Sequence, residues 1–390
     1  MNKFAVDFAV EHRETLRLAR ELIGRPSVTP ADGGCLDVIA GRLEAVGFHC
    51  ERFDRGGVRN LWARRGQKPP LVCLAGHVDV VTAGPLERWA SDPFVAVERE
   101  GYLYGRGAAD MKTPLAAMVT AAERVAAGHP DHPGSMAFLL TSDEEGAATD
   151  GTVAIVEALK ERGQTIDACI LGEPTSNVRF GDVLKNGRRG SLSGVLIIEG
   201  VQCHIAYPER GRNPVHMALP ALTELAAIEW DKGNEYFPPT SFQISNVRGG
   251  TGATNVTPAE FEVLFNIRFS PASSVEGLQS RVREVLDRHG LPYRLIWTVS
   301  GLPFLTPRGR LVEAMSRAVT AVIGVTPELS TSGGTSDGRF LTAVAREIVE
   351  FGPTAEGMHG ADERVRLADI GPLSAIYERA ILALLNQSTL

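Results

Sequence analysis

Leu71-Val72-Cys73-Leu74-Ala75-Gly76-His77-Val78-Asp79 is the stretch from which the fold can be read. Five apolar residues run without a polar break and stop at Gly76, as in a strand covered on both faces. An imidazole and a carboxylate follow at once. The same phrasing recurs along the chain. Met136-Ala137-Phe138-Leu139-Leu140 leads to Glu144 and Glu145, and Ala168-Cys169-Ile170-Leu171 leads to Glu173. A further strand, Ile348-Val349-Glu350-Phe351, precedes the loop that holds His359. Helical patterns separate these runs. Residues 7–23 place Phe8, Leu16, Ala19, Leu22 and Ile23 at helical spacing. Thr113-Pro114 reads as an N-cap with proline at the first helical position, opening an alanine-rich helix that stops at Gly128. Residues 152–162 read as a helix ended by Gly163, and another begins near residue 310. Apolar strands separated by helices predict an α/β fold on a mainly parallel sheet.

The texture changes near residue 184. Ser191 to Glu199 and Phe261 to Phe269 alternate apolar and polar, as half-exposed antiparallel strands do. Asn213-Pro214 starts a helix running to about Trp230, and another spans about 275–289. After residue 299 the parallel-sheet texture returns. A chain of 390 residues is too long for one ordinary core. The expectation is one α/β domain, residues 1–183 and 299–390, interrupted by an inserted α+β domain over residues 184–298.

Composition excludes some partners. The formal charge of -7 is the wrong sign for a phosphate-binding surface, so nucleic acid is not expected. No apolar run approaches the roughly 18 residues of a membrane span. Met1-Asn2-Lys3-Phe4 opens a polar, amphipathic stretch without a signal-peptide core, so a cytoplasmic protein is expected. The five cysteines (Cys35, Cys50, Cys73, Cys169, Cys203) are odd in number and form no C-x-x-C; they read as reduced, buried thiols.

In an open α/β sheet, ligands bind beyond the carboxyl ends of the strands. His77, Glu144, Glu145, Glu173 and His359 obey that rule, and Asp110 closes the turn Gly105-Arg106-Gly107-Ala108-Ala109 just before a helix. Taken singly, each has a bland reading: a hydrogen-bonded surface histidine, a solvated acidic pair, a helix cap, a turn residue. Placed together at strand ends, they form a ligand set of imidazole and carboxylate without thiolate, which suits an open catalytic site for zinc or a similar ion. Asp79 is placed to accept the other imidazole N–H of His77. Asp110 has two oxygens with which to bridge two ions. Of Glu144 and Glu145, one binds metal and the other stays free as a general base. The turn at 105–110 is a near miss for a dinucleotide loop: Asp110 replaces the third glycine, and no strand is expected to run into it.

Gly76-His77-Val78-Asp79, the turn continued to Met111-Lys112, Ser142-Asp143-Glu144-Glu145-Gly146 and Gly172-Glu173-Pro174 resemble the M20 family of dinuclear zinc amidohydrolases and peptidases. The stretches 185–191, 230–241, 250–256 and 333–340 narrow the resemblance to its desuccinylase branch, and the likeness runs nearly end to end. The resemblance implies that Asp110 bridges two zinc ions, with cobalt able to substitute. It implies that His77 and Glu173 complete one site, and Glu145 and His359 the other. Glu144 would be the general base and Asp79 the residue that orients His77. The inserted domain would be a dimerisation domain, and His204 would reach into the partner subunit's site to stabilise an oxyanion.

The implied substrate is N-succinyl-LL-2,6-diaminopimelate, a small polyanionic amide. Carboxylates at both ends call for cations with bidentate grip. Arg188, in the stretch 185–191, and Arg268, among the apolar neighbours of the alternating strand Phe265-Asn266-Ile267-Arg268-Phe269, are the arginines expected to supply that grip, with Ser191, Tyr207, Asn255, Gly334 and Thr335 as neutral partners. Without the resemblance, Arg188-Arg189 reads equally well as a solvated basic turn, and His204 as an ordinary surface histidine. Two departures stand out: Cys203 occupies a glycine position of the family, and Glu356 adds negative charge before His359. An acetylornithine deacetylase or other N-acyl-amino-acid hydrolase is the alternative within the same chemistry, and a non-catalytic dimeric binding protein the alternative outside it.

Overall fold

A computed structural model describes residues 8–386, with side chains from Arg13 onward. The expectations for Met1 to Phe4 and for the side chain of Phe8 fall outside the described residues. The chain divides into two compact units. The first comprises Met1–Gly187, Leu305–Ser330 and Ser336–Leu390; the second comprises Arg188–Phe304 and Thr331–Thr335.

The first unit is built on an eight-stranded sheet. Its order is His49–Arg52, Asn60–Arg65, Ser135–Thr141, Leu71–His77, Ile166–Leu171, Ala345–Glu350, Val183–Lys185 and Glu328–Ser330. The four middle strands, Ser135–Thr141 to Ala345–Glu350, run parallel. Their register aligns the carboxyl ends: His77 lies beside Thr141, Ala75 beside Leu171, and Leu171 beside Glu350. The apolar runs are buried throughout, which is what strands covered on both faces require. Val72, Leu74, Phe138, Leu140, Ile170 and Val349 join a core with the helices Phe8–Ile23, Cys35–Ala45, Thr113–Gly128, Arg310–Ile323 and Leu367–Leu385. The helix Thr152–Glu161 packs against Asn60–Arg65 and Ser135–Thr141.

The second unit is an antiparallel sheet ordered Ser241–Gly249, Glu260–Phe269, Gly190–Glu199 and Tyr293–Gly301. The alternation expected in its two middle strands is present: every second residue of Glu260–Phe269 is buried. Leu196, Val263, Phe265 and Ile267 pack with Ala218 and Leu222 of helix Pro214–Ala227 and with Val282 and Leu286 of helix Val275–Arg288.

Several local expectations need correction. Thr113 is already helical: Lys112 is the N-cap, and the Thr113 hydroxyl finds no hydrogen-bond partner among the described residues. The coil Ala108–Lys112 runs directly into the helix that Thr113 begins. The helix from Pro214 stops at Ala227, because Ile228 turns extended and Trp230 stacks on Phe242 at 6.1 Å. The last parallel strand is Ala345–Glu350, one residue short of Phe351. Tyr102–Tyr104 is a strand and does run into Gly105. It pairs with Val97–Arg99 and Arg364–Arg366 rather than with the parallel sheet. All five cysteines are free thiols, but only Cys35, Cys73 and Cys169 are buried; Cys50 and Cys203 are half-buried. Among the described residues, no helix is long and apolar enough to cross a membrane.

Candidate metal centre

Parallel strands in register deliver their following loops to one edge. His77 ends its strand, Glu144 and Glu145 follow Thr141, Glu173 follows Leu171, and His359 lies in the loop after Glu350. Asp110 arrives from the turn that precedes helix Thr113–Gly128. Two glycines admit that turn. A Cβ on Gly76 would stand 2.3 Å from Met111 Cε, and one on Gly172 would stand 2.6 Å from the same atom. The residue after Asp110 is thus seated on the ends of two strands.

The ligand atoms fall into two sets, His77, Asp110 and Glu173, and Asp110, Glu145 and His359, each within 4.8 Å. His77 Nε2 is 3.2 Å from Asp110 Oδ1 and 3.9 Å from Glu173 Oε1. His359 Nε2 is 3.5 Å from Asp110 Oδ2 and 2.9 Å from Glu145 Oε1. The two oxygens of Asp110 therefore face two different imidazoles. His77, Asp110 and Glu173 are buried, whereas His359 is exposed.

The tautomer of His77 follows from its surroundings. Nδ1 lies 2.9 Å from the main-chain carbonyl of Asp79, which can only accept a hydrogen bond. Nδ1 therefore carries the proton, and in the neutral ring Nε2 offers a lone pair toward Asp110 and Glu173. This differs in detail from the expected contact, since the Asp79 carboxylate stands 3.7 Å from Nδ1. It instead accepts the main-chain N–H groups of Glu144 at 3.3 Å and Glu145 at 3.0 Å. Asp79 thus ties the first strand end to the acidic pair.

The electrostatics reflect carboxyls crowded in a dry site. Burial, opposed by His77 and reinforced by Asp337, Asp110 and Glu145, pushes the Glu144 carboxyl up to about 8. Burial and the nearby Asp110 and Glu144 also push Glu173 well up. The carboxylates of Asp110 and Glu145 raise the His359 imidazole to about 10. Burial would raise Asp110, but hydrogen bonds and charge from the His359 and His77 rings in their protonated, metal-free form overcome it and hold that carboxyl below the usual range. Convergent carboxylates and imidazole lone pairs, with no thiolate, fit hard or borderline divalent cations. Such charge would offset the repulsion among the acids.

The remaining expected residues belong to the second unit. His204 Nδ1 accepts the N–H of Ala206 at 3.1 Å, so Nε2 carries the proton in the neutral ring. Nε2 stands 3.4 Å from the Asn255 amide, and the Tyr207 ring lies 5.8 Å from the imidazole. Cys203 turns its sulfur to the Thr257 hydroxyl at 3.5 Å. Gly211 makes room for it, since a Cβ there would stand 2.5 Å from that sulfur. Arg188 Nη1 donates to the carbonyl of Gly334 at 3.3 Å, and Thr335, beside Gly334, is half-buried. Ser191 pairs across the sheet with Arg268 and accepts from the Asn266 amide at 3.0 Å. Arg268 Nη1 is buried and has no hydrogen-bond partner among the described residues. Burial and the positive charges of Arg189 and Arg188 depress its guanidinium.

Peptidase family M20/M25/M40 matches residues 73–383. A succinyl-diaminopimelate desuccinylase of Thiobacillus denitrificans is 60% identical over 380 residues, covering 97% of both chains. One from Aromatoleum aromaticum is 61% identical over 371 residues, covering 95% of this chain and 97% of its own. The chain belongs to peptidase family M20/M25/M40. Solved M20 structures share its fold at low identity. An M20 family metallo-carboxypeptidase from Sulfolobus solfataricus superposes with a TM-score of 0.78 at 16% identity, covering 95% of this chain and 99% of that one. A dinuclear metal binding M20 peptidase of Bacillus subtilis gives 0.72 at 15%, covering 97% and 99%.

Two buried acids join the expected residues. Asp337 accepts the Thr152 hydroxyl at 2.6 Å and acts on Glu144 through its charge. Glu363 gathers the turn that ends on Asp110. The one signal for Glu363 was Arg106, a guanidinium in a glycine-rich turn, which needs a carboxylate if that turn is buried.

Proposed function

We propose that this chain is a metal-dependent amide hydrolase that converts N-succinyl-LL-2,6-diaminopimelate and water to succinate and LL-2,6-diaminopimelate, in lysine and diaminopimelate biosynthesis. The observation that carries the hydrolytic chemistry is the placement of Asp110, whose two oxygens face His77 and His359 separately. The names of the relatives, at about 60% identity over nearly the whole chain, support the substrate.

His77, Asp110 and Glu173 would hold one zinc ion and Asp110, Glu145 and His359 a second, with cobalt a substitute. Bound dications supply electrophilic charge to the amide carbonyl and acidify water. Glu144 belongs to neither ligand set, and its side chain is left to take the proton of the attacking water. It then gives that proton to the leaving amine as the C–N bond breaks. Asp79 holds the main chain of Glu144 and Glu145 and, through its carbonyl, the ring of His77.

The inserted domain, residues 184–298, serves as the dimerisation domain of a homodimer. Its strand Ser241–Gly249 lies at the sheet edge, largely exposed, with backbone groups open to pairing. His204 acts in the partner subunit's site as an Nε2–H donor to the developing oxyanion. Arg188 and Arg268 grip the carboxylates, with Ser191, Tyr207, Asn255, Gly334 and Thr335 as neutral contacts. Glu356 does not oppose a succinyl group, because Arg364 at 3.2 Å and Arg366 at 3.4 Å pair with it. The protein works in the cytoplasm, without nucleic acid or membrane.

The test is hydrolysis of N-succinyl-LL-diaminopimelate and N-acetyl-L-ornithine side by side by zinc-loaded protein. A strong preference for the succinyl substrate is expected. Preference for the acetyl substrate would move the chain to the deacetylase reading and overturn the roles of Arg188 and Arg268.

A further inference from the structure

Glu363 is buried, and its carboxylate takes four donors from one turn. Oε2 accepts from Arg106 Nη1 at 2.7 Å and from the N–H of Gly107 at 3.0 Å. Oε1 accepts from the N–H of Ala109 at 2.9 Å and of Asp110 at 3.1 Å. The strand Arg364–Arg366 pairs with Tyr102–Tyr104, with Arg364 opposite Tyr104. The next step of that ladder carries the N–H of Gly105 to the Glu363 carbonyl at 3.0 Å. The turn from Gly105 to Asp110 is therefore wrapped round a single side chain.

The same pair reaches the other half of the centre. Arg106 is as buried as Glu363, and its Nη2 donates to the carbonyl of Gly360 at 3.0 Å and of Thr82 at 3.3 Å. Gly360 follows His359, whose φ of 59° is left-handed, a costly conformation for a residue with a Cβ. Such a backbone persists where its surroundings over-determine it. Arg106 supplies one restraint, and the Asp362 side chain supplies another by accepting the N–H of Ala90 at 3.0 Å. His77 and Glu173, by contrast, are placed by adjacent strands of the parallel sheet.

We propose that Glu363, acting through Arg106, is the positioning residue that holds Asp110 and His359 in register with each other and so sets the affinity of the ion site they share with Glu145. The inference rests on the dinuclear reading above. It assigns Glu363 no contact with substrate. Ligands fixed by a hydrogen-bonded outer layer lose about 10- to 100-fold in metal affinity when that layer is cut.

The experiment is titration of metal-free full-length protein with Co2+, by calorimetry and by visible absorption, for wild type, Glu363→Gln and Arg106→Lys. Glu363→Gln keeps the shape but sets an NH2 group against main-chain donors. Arg106→Lys keeps the charge but cannot span Glu363, Gly360 and Thr82 together. Wild type is expected to take up two equivalents. Each variant should bind the second about 10- to 100-fold more weakly, lose part of the cobalt absorption, and melt within a few degrees of wild type when metal-free. A second equivalent bound within threefold of wild type in both variants would overturn the inference. So would a metal-free melting transition that collapses in both, since Glu363 and Arg106 would then be general structural supports. A wild type that takes up fewer than two equivalents would instead sink the dinuclear reading itself.

Discussion

The carboxylate of Asp79 accepts the main-chain N–H of Glu145 at 3.0 Å, so the residue just past one strand end pins the loop that follows the neighbouring strand. The Glu144 N–H joins the same carboxylate. The backbone of the acidic pair is fixed, and its two side chains can take different roles. Glu145 turns to His359, while Glu144 belongs to neither set of candidate ligands.

Glu144→Gln should therefore keep its metal and lose turnover. General acid–base catalysis contributes about 10²- to 10⁴-fold, and kcat should fall within that range. Metal content by atomic absorption should match wild type. Turnover unchanged in a fully loaded variant would remove Glu144 as the base.

Removal of metal should abolish activity and lower the melting temperature. The carboxyls of Asp110, Glu145, Glu173 and Glu144 lie close together, and bound dications relieve their repulsion. A ligand at 100 times its Kd stabilises the folded state by about 2.7 kcal/mol. Scanning calorimetry of chelated protein, before and after return of zinc or cobalt, measures the shift. Equal melting temperatures in the two states would argue against any metal at this centre.

Arg268→Met should separate the two candidate substrates. The Arg268 Nη1 donor lacks a partner among the described residues, while the chain's net charge gives no general attraction for anions. A charge-assisted bond to a carboxylate is worth about 1.5–3 kcal/mol, so kcat/KM for the succinyl substrate should fall by about 10- to 150-fold. Hydrolysis of N-acetyl-L-ornithine should change little. Equal losses on both substrates would assign Arg268 to the stability of its unit.

Asp369 offers a test of pH dependence away from the metal centre. Burial, opposed by Arg366 and aided by Glu356, pushes its carboxyl up to about 6. A raised acid holds its proton more tightly folded than unfolded. Its contribution is therefore full below its unfolded value of about 4 and is lost as pH rises through 6. Asp369→Asn should gain about 1 kcal/mol over wild type at pH 8, after allowance for solvent at this half-buried site, and nothing at pH 4. Urea unfolding of metal-free protein across that range should show the gap opening with pH.

The parallel sheet was legible because its strands announce themselves. Leu71 to Ala75, Met136 to Leu140 and Ala168 to Leu171 are unbroken apolar runs, and burial on both faces leaves a continuous pattern. The insert was legible because Gly190–Glu199 and Glu260–Phe269 alternate, the mark of one covered face. Short elements were less so. Tyr102–Tyr104 has three residues, too few for any periodicity, and gains its strand character from Arg364–Arg366 far along the chain. The helix from Pro214 ends before its apolar pattern does, because Trp230, apolar and at suitable spacing, packs on Phe242 from an extended segment.

By itself the sequence determined which residues gather at the edge of the sheet. His77, Glu144, Glu145 and Glu173 are covalently tied within four residues to a strand whose burial is written in its composition, His359 stands nine residues past the end of its strand, and parallel register aligns the ends. Only the tertiary structure decided which atom faces which: one oxygen of Asp110 to each imidazole, the Asp79 carbonyl rather than its carboxylate to His77, and Glu363 round the turn at Gly105. Arg106 and Glu363 stand 257 residues apart. No local pattern links such a pair, because contacts between side chains are set by packing and by the need to satisfy every buried donor, not by spacing along the chain.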